Sequence, residues 1–587
     1  MEGTVRSVAW RTWVPVAWVV ALALLINLPL LLPGFVLSYD LVFTPRQDLL
    51  PSSLGLEGGL PRAVPQDAVV AILTSVVPGM LVEKAALLAI PLLAGLGMLR
   101  LLRDVPAVSA RMVAATVVAW SPFVAERLVI GHWGLLLAYA MAPWALASAR
   151  DLRRGSVAAG ARLVLQVAVG SLTPSGSLLL LALVLPVAVG PGCRASGAVR
   201  ALVGVGCAAL ALPWALPAVL LAGSAAYGES AAVGADVFGL RSEGPWGPLL
   251  TALGLGGLWN ADAIPDSRSW VTAPVLGLVL LGLALAGTAA MRRALGRAMT
   301  AWLWIAAVVG LLAATASAGP AWGDLVGASP AFGVLRDAQK LLAPLALLLS
   351  IGAGFGVAAV LERVRDRAAR GALLALALVV PLAALPDLAW GVGGRLAPVD
   401  YPGEWSEVRD VLAADPRPGD VLVLPWSAFR RFSWNADRTV LDPAPRWITR
   451  PSVVDGSLAV ATPDGLVVVG GEDPRAARVA RALEAGEPLA EVLPAWGIGW
   501  VLVEEGQPTA TPAVPESVAG LVPVLERGGL RLLATPSAAQ AQELPTWAPA
   551  VVAVDLAVLA SLAVWGGVAV RWREGGRRGR PFGTVTA

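Results

Sequence analysis

Hydrophobic residues occur along this chain in blocks about 20 residues long, and short arginine-rich segments separate them. A block of that length crosses the hydrocarbon core of a bilayer as an α-helix. The pattern therefore predicts a mainly α polytopic bundle of about twelve spans. They are expected at Trp13–Leu32, Val82–Leu102, Pro106–Val124, Gly134–Ala149, Val157–Leu172, Gly176–Val189, Ala201–Ala222, Val271–Ala290, Thr300–Ser317, Leu341–Leu361, Gly371–Trp390 and Trp547–Val570. The fifth and sixth are short, because Thr173–Gly176 interrupts them.

Arginine positions give the predicted orientation. Positive residues are retained on the cytoplasmic side during insertion, and every second turn of the predicted chain carries arginines. Both termini are then cytoplasmic, with a basic tail at the C-terminus. Only two of the 44 basic residues are lysines, which is typical of a high-GC bacterial gene. The protein is therefore expected in the bacterial cell (inner) membrane.

The longer segments are expected outside. A transmembrane bundle over 1–390 has outer loops at 33–81, 223–270 and 318–340, and a last helix with the basic tail occupies 547–587. Between them, residues 391–546 carry evenly spread charges and short strand-like runs that alternate with helical stretches, which predicts an extracytoplasmic α/β domain. Its expected strands are Val421–Pro425, Leu466–Val469, Gly499–Glu504 and Leu530–Ala534, and its expected helices are Trp405–Ala413 and Arg475–Leu489.

Composition excludes several classes of function. Of 587 residues, 57% are hydrophobic and 14% charged, so the chain is not an ordinary soluble domain. The basic residues form no groove-lining run with aromatics, so nucleic acid is not an expected partner. The chain lacks a phosphate-cradling G-x-x-x-x-G-K-[ST], a CxxC pair, an H-E-x-x-H and a D-x-D motif, and it has one histidine. The net charge of +3 combines −7 in 391–546 with +10 elsewhere, and only eight basic residues fall in the outer loops.

The first candidate for chemistry is Asp40, just beyond the first span, with Arg46 and Asp48 farther along the same loop. A partly desolvated carboxylate at the rim of a bundle can accept a proton from an attacking hydroxyl. The alternative is a solvated loop acid that ends the helix.

The second candidate is a short outer turn that brings together an acid, a cation and the single imidazole: Glu126, Arg127 and His132. Such a turn could bind an acceptor or a pyrophosphate. The alternative, which we favour at this point, is a turn stabilised by an ion pair and an interfacial aromatic.

The third candidate is an anion site at Arg336, Asp337 and Lys340, where the two cations are one helical turn apart and would share a face. Two cations held together could both donate charge-assisted hydrogen bonds to a phosphate or a phospholipid headgroup. The alternative is a helix-end pair in which Asp337 neutralises Arg336. The loop 223–270 could add acceptor or metal contacts through Glu229, Asp236, Arg241, Glu243, Asn260, Asp262 and Asp266.

The pattern resembles the GT-C class of membrane glycosyltransferases, most of all the high-GC bacterial arabinofuranosyl- and mannosyltransferases that use polyprenyl-phosphate sugars. The shared features are the N-terminal span, the outer loop with Tyr39-Asp40, about a dozen spans with short broken helices, and an outer α/β domain before the final span. The run from Leu493 to Val503 resembles a strand entry in the outer domains of such proteins. Unlike better-defined members, the chain has Leu41 rather than a second acid after Asp40.

The resemblance implies an inverting transfer of a sugar from a polyprenyl-phosphate donor to an envelope glycan or glycolipid acceptor. Asp40 would act as general base, and Arg336 and Lys340 would stabilise the leaving phosphate. A divalent cation, Mg²⁺ or Mn²⁺, is a possible cofactor. Two alternatives stay open: a flippase or transporter of a lipid-linked glycan, and a non-catalytic subunit of envelope assembly. An enzyme requires Asp40, Arg336 and Lys340 to line one outer cavity.

Overall fold

The computed structural model describes residues 2–221, 233–328, 333, 335–462, 465–507, 518–540 and 542–578, and Glu229 lies outside these ranges. All twelve segments predicted to span the membrane are helical there. The helices are α1 Glu2–Asn27, α2 Gln66–Thr74, α3 Gly79–Leu101, α4 Val108–Ala119, α5 Pro122–Val129, α6 Trp133–Arg153, α7 Val157–Gly170, α8 Pro174–Val189, α9 Gly197–Ala209, α10 Leu212–Leu221, α11 Gly247–Leu253, α12 Thr272–Leu295, α13 Arg297–Ala316, α14 Ala321–Gly327, α15 Ala343–Arg363, α16 Arg367–Ala384, α17 Glu404–Ala414, α18 Ala444–Trp447, α19 Pro474–Ala485, α20 Leu489–Val492 and α21 Ala548–Arg578.

Eight helical segments of the described chain are long and apolar enough to cross a membrane, and α9 with α10, bent by 56°, would make a ninth. Helices α7 and α8 are shorter, with 14 and 16 residues, as the break at Thr173–Gly176 predicts. The protein is thus a multi-pass membrane protein.

The centre of the bundle is built around α6 and α15. Helix α6 packs against α3, α7 and α8, and α15 packs against α4, α12 and α13. Small residues such as Ala138, Ala142 and Gly352 let these helices approach closely, and Tyr139 fills the space beside Phe123. By contrast, α16 and α21 bury few of their residues within the protein and present apolar side chains outward. The middle helices are therefore the fixed scaffold from which the outer turns project.

The α/β domain contains a mixed five-stranded sheet. The strands of the whole chain are β1 Phe35–Val36, β2 Pro398–Val399, β3 Asp420–Leu424, β4 Phe429–Arg431, β5 Thr439–Leu441, β6 Ser452–Val453, β7 Leu458–Thr462, β8 Gly465–Val469, β9 Ile498–Glu504, β10 Val522–Arg527 and β11 Leu530–Ala534. The sheet order is β10-β11-β9-β3-β6, with β3 parallel to β9 and β6 and the other pairs antiparallel. The four predicted strands and two predicted helices of this domain are confirmed, although the second helix is divided into α19 and α20.

Alternate residues of the central strands enter two different cores. Val421 and Val423 on β3 join the core that continues into the bundle, whereas Leu422 and Leu424 face the core beneath α19. This period-two alternation buries both faces of the sheet. One face of the domain is consequently packed against one end of the bundle.

Two strand pairings join the first outer loop to the domain. β1 pairs with β2 through Phe35–Val399 and Val36–Pro398, and residue Tyr39 bridges to Val440 in β5. The segment between the first span and Asp40 is therefore held by the domain as well as by the bundle.

Candidate active site

Asp40 lies in a tight turn clamped against the bundle. The Leu41 amide donates to the Ser38 carbonyl at 2.8 Å, and the Asp40 amide donates to the Ile130 carbonyl at 3.2 Å. Gly131, at φ +83°, lies against the turn so closely that a Cβ there would be 2.0 Å from the Leu41 nitrogen. Only glycine fits this contact, because it has no side chain and tolerates positive φ.

The other side of the turn is held by the α/β domain. The Tyr39 amide donates to the Thr439 carbonyl, and the Leu441 amide donates to the Tyr39 carbonyl, both at 2.8 Å. Tyr39 itself has φ +45°, which is uncommon for a residue with a side chain. Backbone conformations of this kind persist where the surroundings determine them and are frequent at functional sites. The Asp40 side chain, in contrast, remains 46% exposed.

His132 is the nearest charged or polar partner of Asp40, with its Nε2 3.5 Å from Asp40 Oδ2. Burial and the charge of Lys340 lower the pKa of His132, although Asp40 and Asp337 oppose that shift. The surrounding protein removes part of the water around Asp40 and would by itself raise its pKa, but His132, Lys340 and Arg446 outweigh this effect and hold the pKa below its ordinary value. At neutral pH the site thus has an ionised carboxylate beside a neutral imidazole.

Lys340 is the cation of this site, and it forms an ion pair with Asp337. Lys340 Nζ lies 3.0 Å from Asp337 Oδ2, and Lys340 stands in the 3₁₀ turn Ala338–Leu342 that precedes α15. Burial raises the pKa of Asp337, but Lys340, His132 and Arg127 outweigh it, so the pKa is lowered. The structure therefore brings Asp40, His132, Asp337 and Lys340 into one electrostatic group.

Glu126 and Arg127 lie beneath this group and are fully buried. Arg127 Nη1 is 3.3 Å from Glu126 Oε2, and its guanidinium stacks over Phe123 at 4.2 Å. Arg268 continues the network, 3.9 Å from Glu126 and 2.8 Å from Glu243. Glu126 and Arg127 therefore lie inside α5 and not in the predicted outer turn; they contact each other, whereas Trp133 is buried and not interfacial as expected.

Three predicted site residues lie elsewhere. Arg336 precedes the 3₁₀ turn, and its Nη1 is 3.6 Å from Glu472 of the α/β domain, so the helical face expected for Arg336 with Lys340 is not formed. Asp337 pairs with Lys340 rather than with Arg336. Arg46 and Asp48 contact each other at 3.8 Å, and Asp48 pairs with Arg409 of α17 at 2.6 Å. These contacts fasten the outer loops to the domain.

Arg446 is a cation near the site that the sequence did not predict. It lies in α18, pairs with Asp67 at 3.1 Å, and helps to lower the pKa of Asp40. The anion-site candidates came from the eight basic residues of the outer loops, so the 13 basic residues of the domain were left out. The domain is tethered by helices at both ends and must therefore lie over the bundle. That constraint could have added Arg446 to the candidates for the anion site.

The described residues do not provide a metal-binding group. No three His, Cys, Asp or Glu side chains among them converge as a cation site requires. The available acids are already paired, Asp337 with Lys340 and Asp67 with Arg446. We therefore derive no step through the divalent cation that the sequence left possible.

Arg336 lies against Glu472 of the α/β domain, so the expectation of a shared outer cavity stays a prediction for Asp40 and Lys340 alone. Two cavities, of about 330 and 20 Å³, are lined by other side chains than those of Asp40, Arg336 and Lys340. The smaller one includes Arg268, and the larger lies at the opposite end of α6.

No family model and no curated protein matches the sequence. The structure is nevertheless similar to solved structures of other proteins. The cryo-EM structure of the arabinofuranosyltransferase AftD from Mycobacteria is 20% identical with a TM-score of 0.55, over 91% of this chain and 40% of that one. A mutant of AftD gives 19% identity and 0.54, over 91% and 42%. The oligosaccharyltransferase of Archaeoglobus fulgidus gives 11% and 0.37, over 83% and 65%.

The likeness to the two AftD structures shows the fold. The chain shares the architecture of AftD, which agrees with the fold that the resemblance predicts, and it spans about 40% of the length of that protein. The prediction of a mainly helical membrane bundle with a small α/β domain before the last helix is confirmed.

Proposed function

We propose that this chain is a membrane glycosyltransferase that moves a sugar from a polyprenyl-phosphate donor to an envelope glycan or glycolipid acceptor on the outer side of the bacterial cell membrane. The observation that carries the proposal is Asp40, whose backbone is fixed by both parts of the molecule while its carboxylate stays accessible. The fold shared with the arabinofuranosyltransferase AftD supports transfer of a sugar.

In the proposed reaction, Asp40 accepts the proton of the acceptor hydroxyl. The hydroxyl oxygen forms the new bond to the anomeric carbon, and the bond from that carbon to the phosphate oxygen breaks. Polyprenyl phosphate leaves with the bonding electron pair. His132 orients the Asp40 carboxylate through the contact at 3.5 Å, and Lys340 stabilises the charge that develops on the leaving phosphate.

Substitution of Asp40 by asparagine tests the proposal, because the amide keeps the shape of the side chain and loses its basicity. General base catalysis contributes about 10²- to 10⁴-fold, so we expect Asp40→Asn to reduce transfer by that factor. The measurement is product formation in proteoliposomes that contain a labelled polyprenyl-phosphate sugar and an acceptor. Asp400→Asn, at an exposed acid of the domain, is the control and should retain turnover.

Equal turnover by Asp40→Asn and the control would remove Asp40 from the mechanism. Movement of the labelled carrier across the bilayer without any transfer product would favour the flippase instead.

A further inference from the structure

A cavity of about 330 Å³ opens between α3, α6 and α7, far from Asp40. Helix α6 begins next to His132 and lines this cavity with Trp144 and Ser148, 12 and 16 residues later, which corresponds to roughly 18–24 Å along the helix. The cavity is lined by Arg100, Trp144, Ser148, Arg162 and Gln166. The size is within the range of small-ligand pockets, about 300–1,000 Å³.

Two helices present polar groups to this cavity in register. Arg162 and Gln166 are one turn apart on α7, and Trp144 and Ser148 are one turn apart on α6. In the amide orientation that satisfies its neighbours, Gln166 donates to Ser148 Oγ at 2.8 Å and to the Trp144 carbonyl at 3.2 Å. The Ser148 hydroxyl then keeps its own hydrogen for another acceptor. Gln166, conspicuous as a polar residue within a predicted span, thus belongs to a built polar surface.

The surrounding charges are unbalanced. Five arginines share two aspartates here: Arg100, Arg103, Arg150, Arg154 and Arg162 surround Asp104 and Asp151. Half-buried arginines in excess of their acids favour a bound anion, since each uncompensated charge is costly away from water.

The two arginines that line the cavity are the weakly paired ones. Arg103 contacts Asp151 at 2.7 Å, whereas Arg100 and Arg162 lie 3.5 and 4.0 Å from it. Arg162 Nε is buried and has no hydrogen-bond partner among the described residues. Asp151 is therefore satisfied mainly by Arg103, and the guanidinium groups of Arg100 and Arg162 keep donors for a ligand.

We propose that this cavity binds the phosphate group of an anionic phospholipid, taken from the leaflet on the side where the arginine pattern predicts the cytoplasm. Arg100, Arg162 and the Ser148 hydroxyl would donate to the phosphate oxygens, with Trp144 beside the glycerol. Basic pockets between membrane helices on that side suit anionic headgroups, and guanidinium groups match phosphate geometry. The lipid would hold α3, α6 and α7 together at this end.

The test uses the full-length protein, incubated with mixed phosphatidylglycerol and phosphatidylcholine and then analysed for retained lipid by native mass spectrometry. We expect selective retention of phosphatidylglycerol, reduced about tenfold in Arg162→Gln because one charged hydrogen-bond contact is lost. Arg162→Lys should recover part of the retention. Arg292→Gln, at an exposed arginine on the same predicted side, is the control and should behave as the native protein.

Arg100→Gln, at the more exposed lining position, tests the same contact if Arg162→Gln does not fold. Folding is checked by the thermal midpoint in phosphatidylcholine alone. Equal retention of phosphatidylglycerol by the native protein, the cavity variants and Arg292→Gln would overturn the proposal.

Inorganic phosphate, compared with chloride at equal ionic strength, separates the two sources of the anion. Stabilisation by phosphate that depends on Arg162, without selective lipid retention, would assign the site to a soluble phosphate and overturn the lipid as its ligand.

Discussion

The two supports of the Asp40 turn are built from different interactions. On the bundle side, the backbone of the turn lies directly against the backbone of Ile130 and Gly131. On the domain side, Tyr39 pairs with β5 of the β4–β5 hairpin. A cluster of buried charged residues connects this hairpin to the five-stranded sheet. A steric support fails when an atom is added to it, whereas an electrostatic support fails when a charge is removed. The two can therefore be broken separately.

The charge cluster consists of Arg430, Asp442 and Glu504, all buried. Arg430 on β4 lies 2.8 Å from Asp442, which follows β5, and it also contacts Glu504 at the end of β9. One guanidinium thus joins the hairpin to the central strand of the sheet. Because a charge buried without a partner is strongly unfavourable, this cluster determines how firmly the hairpin holds Tyr39.

The largest effect is expected on the bundle side, from Gly131→Ala. The added Cβ would lie 2.0 Å from the Leu41 nitrogen and 2.6 Å from the Asp40 carbonyl carbon, so the turn must move. A displacement of about 1 Å can cost about 10²-fold in rate, and we expect transfer to fall by at least that factor. The measurement is the same proteoliposome assay, with protein amount in the membrane determined in parallel.

Gly155→Ala is the matched control. Gly155 has φ +100°, but the nearest atom to its Cβ would be Arg194 Cβ at 3.9 Å. It carries the backbone penalty of about 1–2 kcal/mol without the collision. If both variants lose activity equally, strain alone explains the loss and the contact with Asp40 is irrelevant.

The sequence predicted the parts of the fold that depend on local pattern, and it did not predict the contacts that depend on tertiary packing. The helices and the central strands follow from local periodicity, so β11 was predicted at its observed bounds and α7 and α8 at nearly theirs. Asp40 and His132 were predicted separately, as members of two clusters. Their contact depends on the packing of the loop after α1 against the turn before α6, and no local pattern encodes that packing.

For the anion site, the sequence predicted two residues together that the structure places apart. Arg336 and Lys340 are four residues apart, and helical spacing would have placed them together. The chain is not an α-helix there, and Glu472 of the domain attracts Arg336. Arg446, more than 400 residues beyond Asp40 in the chain, makes a small contribution to the lowered pKa of Asp40. The membrane bundle is predictable because one hydrophobic period dominates it, while the site is assembled from segments whose pairing is tertiary.

A smaller effect is expected on the domain side, from Asp442→Asn. Asparagine keeps the side-chain oxygen that accepts from the Ala444 amide at 2.8 Å, but it leaves Arg430 with one charged partner fewer. Breaking a buried ion pair costs about 3–5 kcal/mol, and we expect the domain to lose that much unfolding free energy. Denaturant titration and hydrogen exchange at the β4–β5 amides measure it.

Transfer by Asp442→Asn should fall less than in Gly131→Ala, since the bundle still holds Asp40. Faster exchange confined to β4 and β5, with the bundle amides unchanged, is the expected pattern. Native exchange rates in this hairpin would show that the cluster does not fix it.

The smallest effect on transfer is expected from Glu504, which contributes a pH dependence to the stability of the domain. Burial, followed by the neighbouring Asp442, raises the pKa of Glu504 to about 8 from its ordinary value of 4.5. Because the folded protein holds this proton more tightly than the unfolded chain, the contribution to stability is complete below about 4.5 and is lost as the pH rises through about 8.

Glu504→Gln mimics the protonated acid and does not titrate, so its thermal midpoint should change less than that of the native protein across this pH interval. Below about pH 4.5 the two proteins should be similar, and the variant should become progressively the more stable of the two as the pH rises toward about 8. Glu505→Gln, at the exposed neighbouring acid, controls for the loss of one surface charge and should retain the native pH dependence. A pH dependence of Glu504→Gln as steep as that of Glu505→Gln would show that the cluster holds an ionised Glu504. Asp442→Asn should then be the milder break, since Arg430 would keep a charged partner.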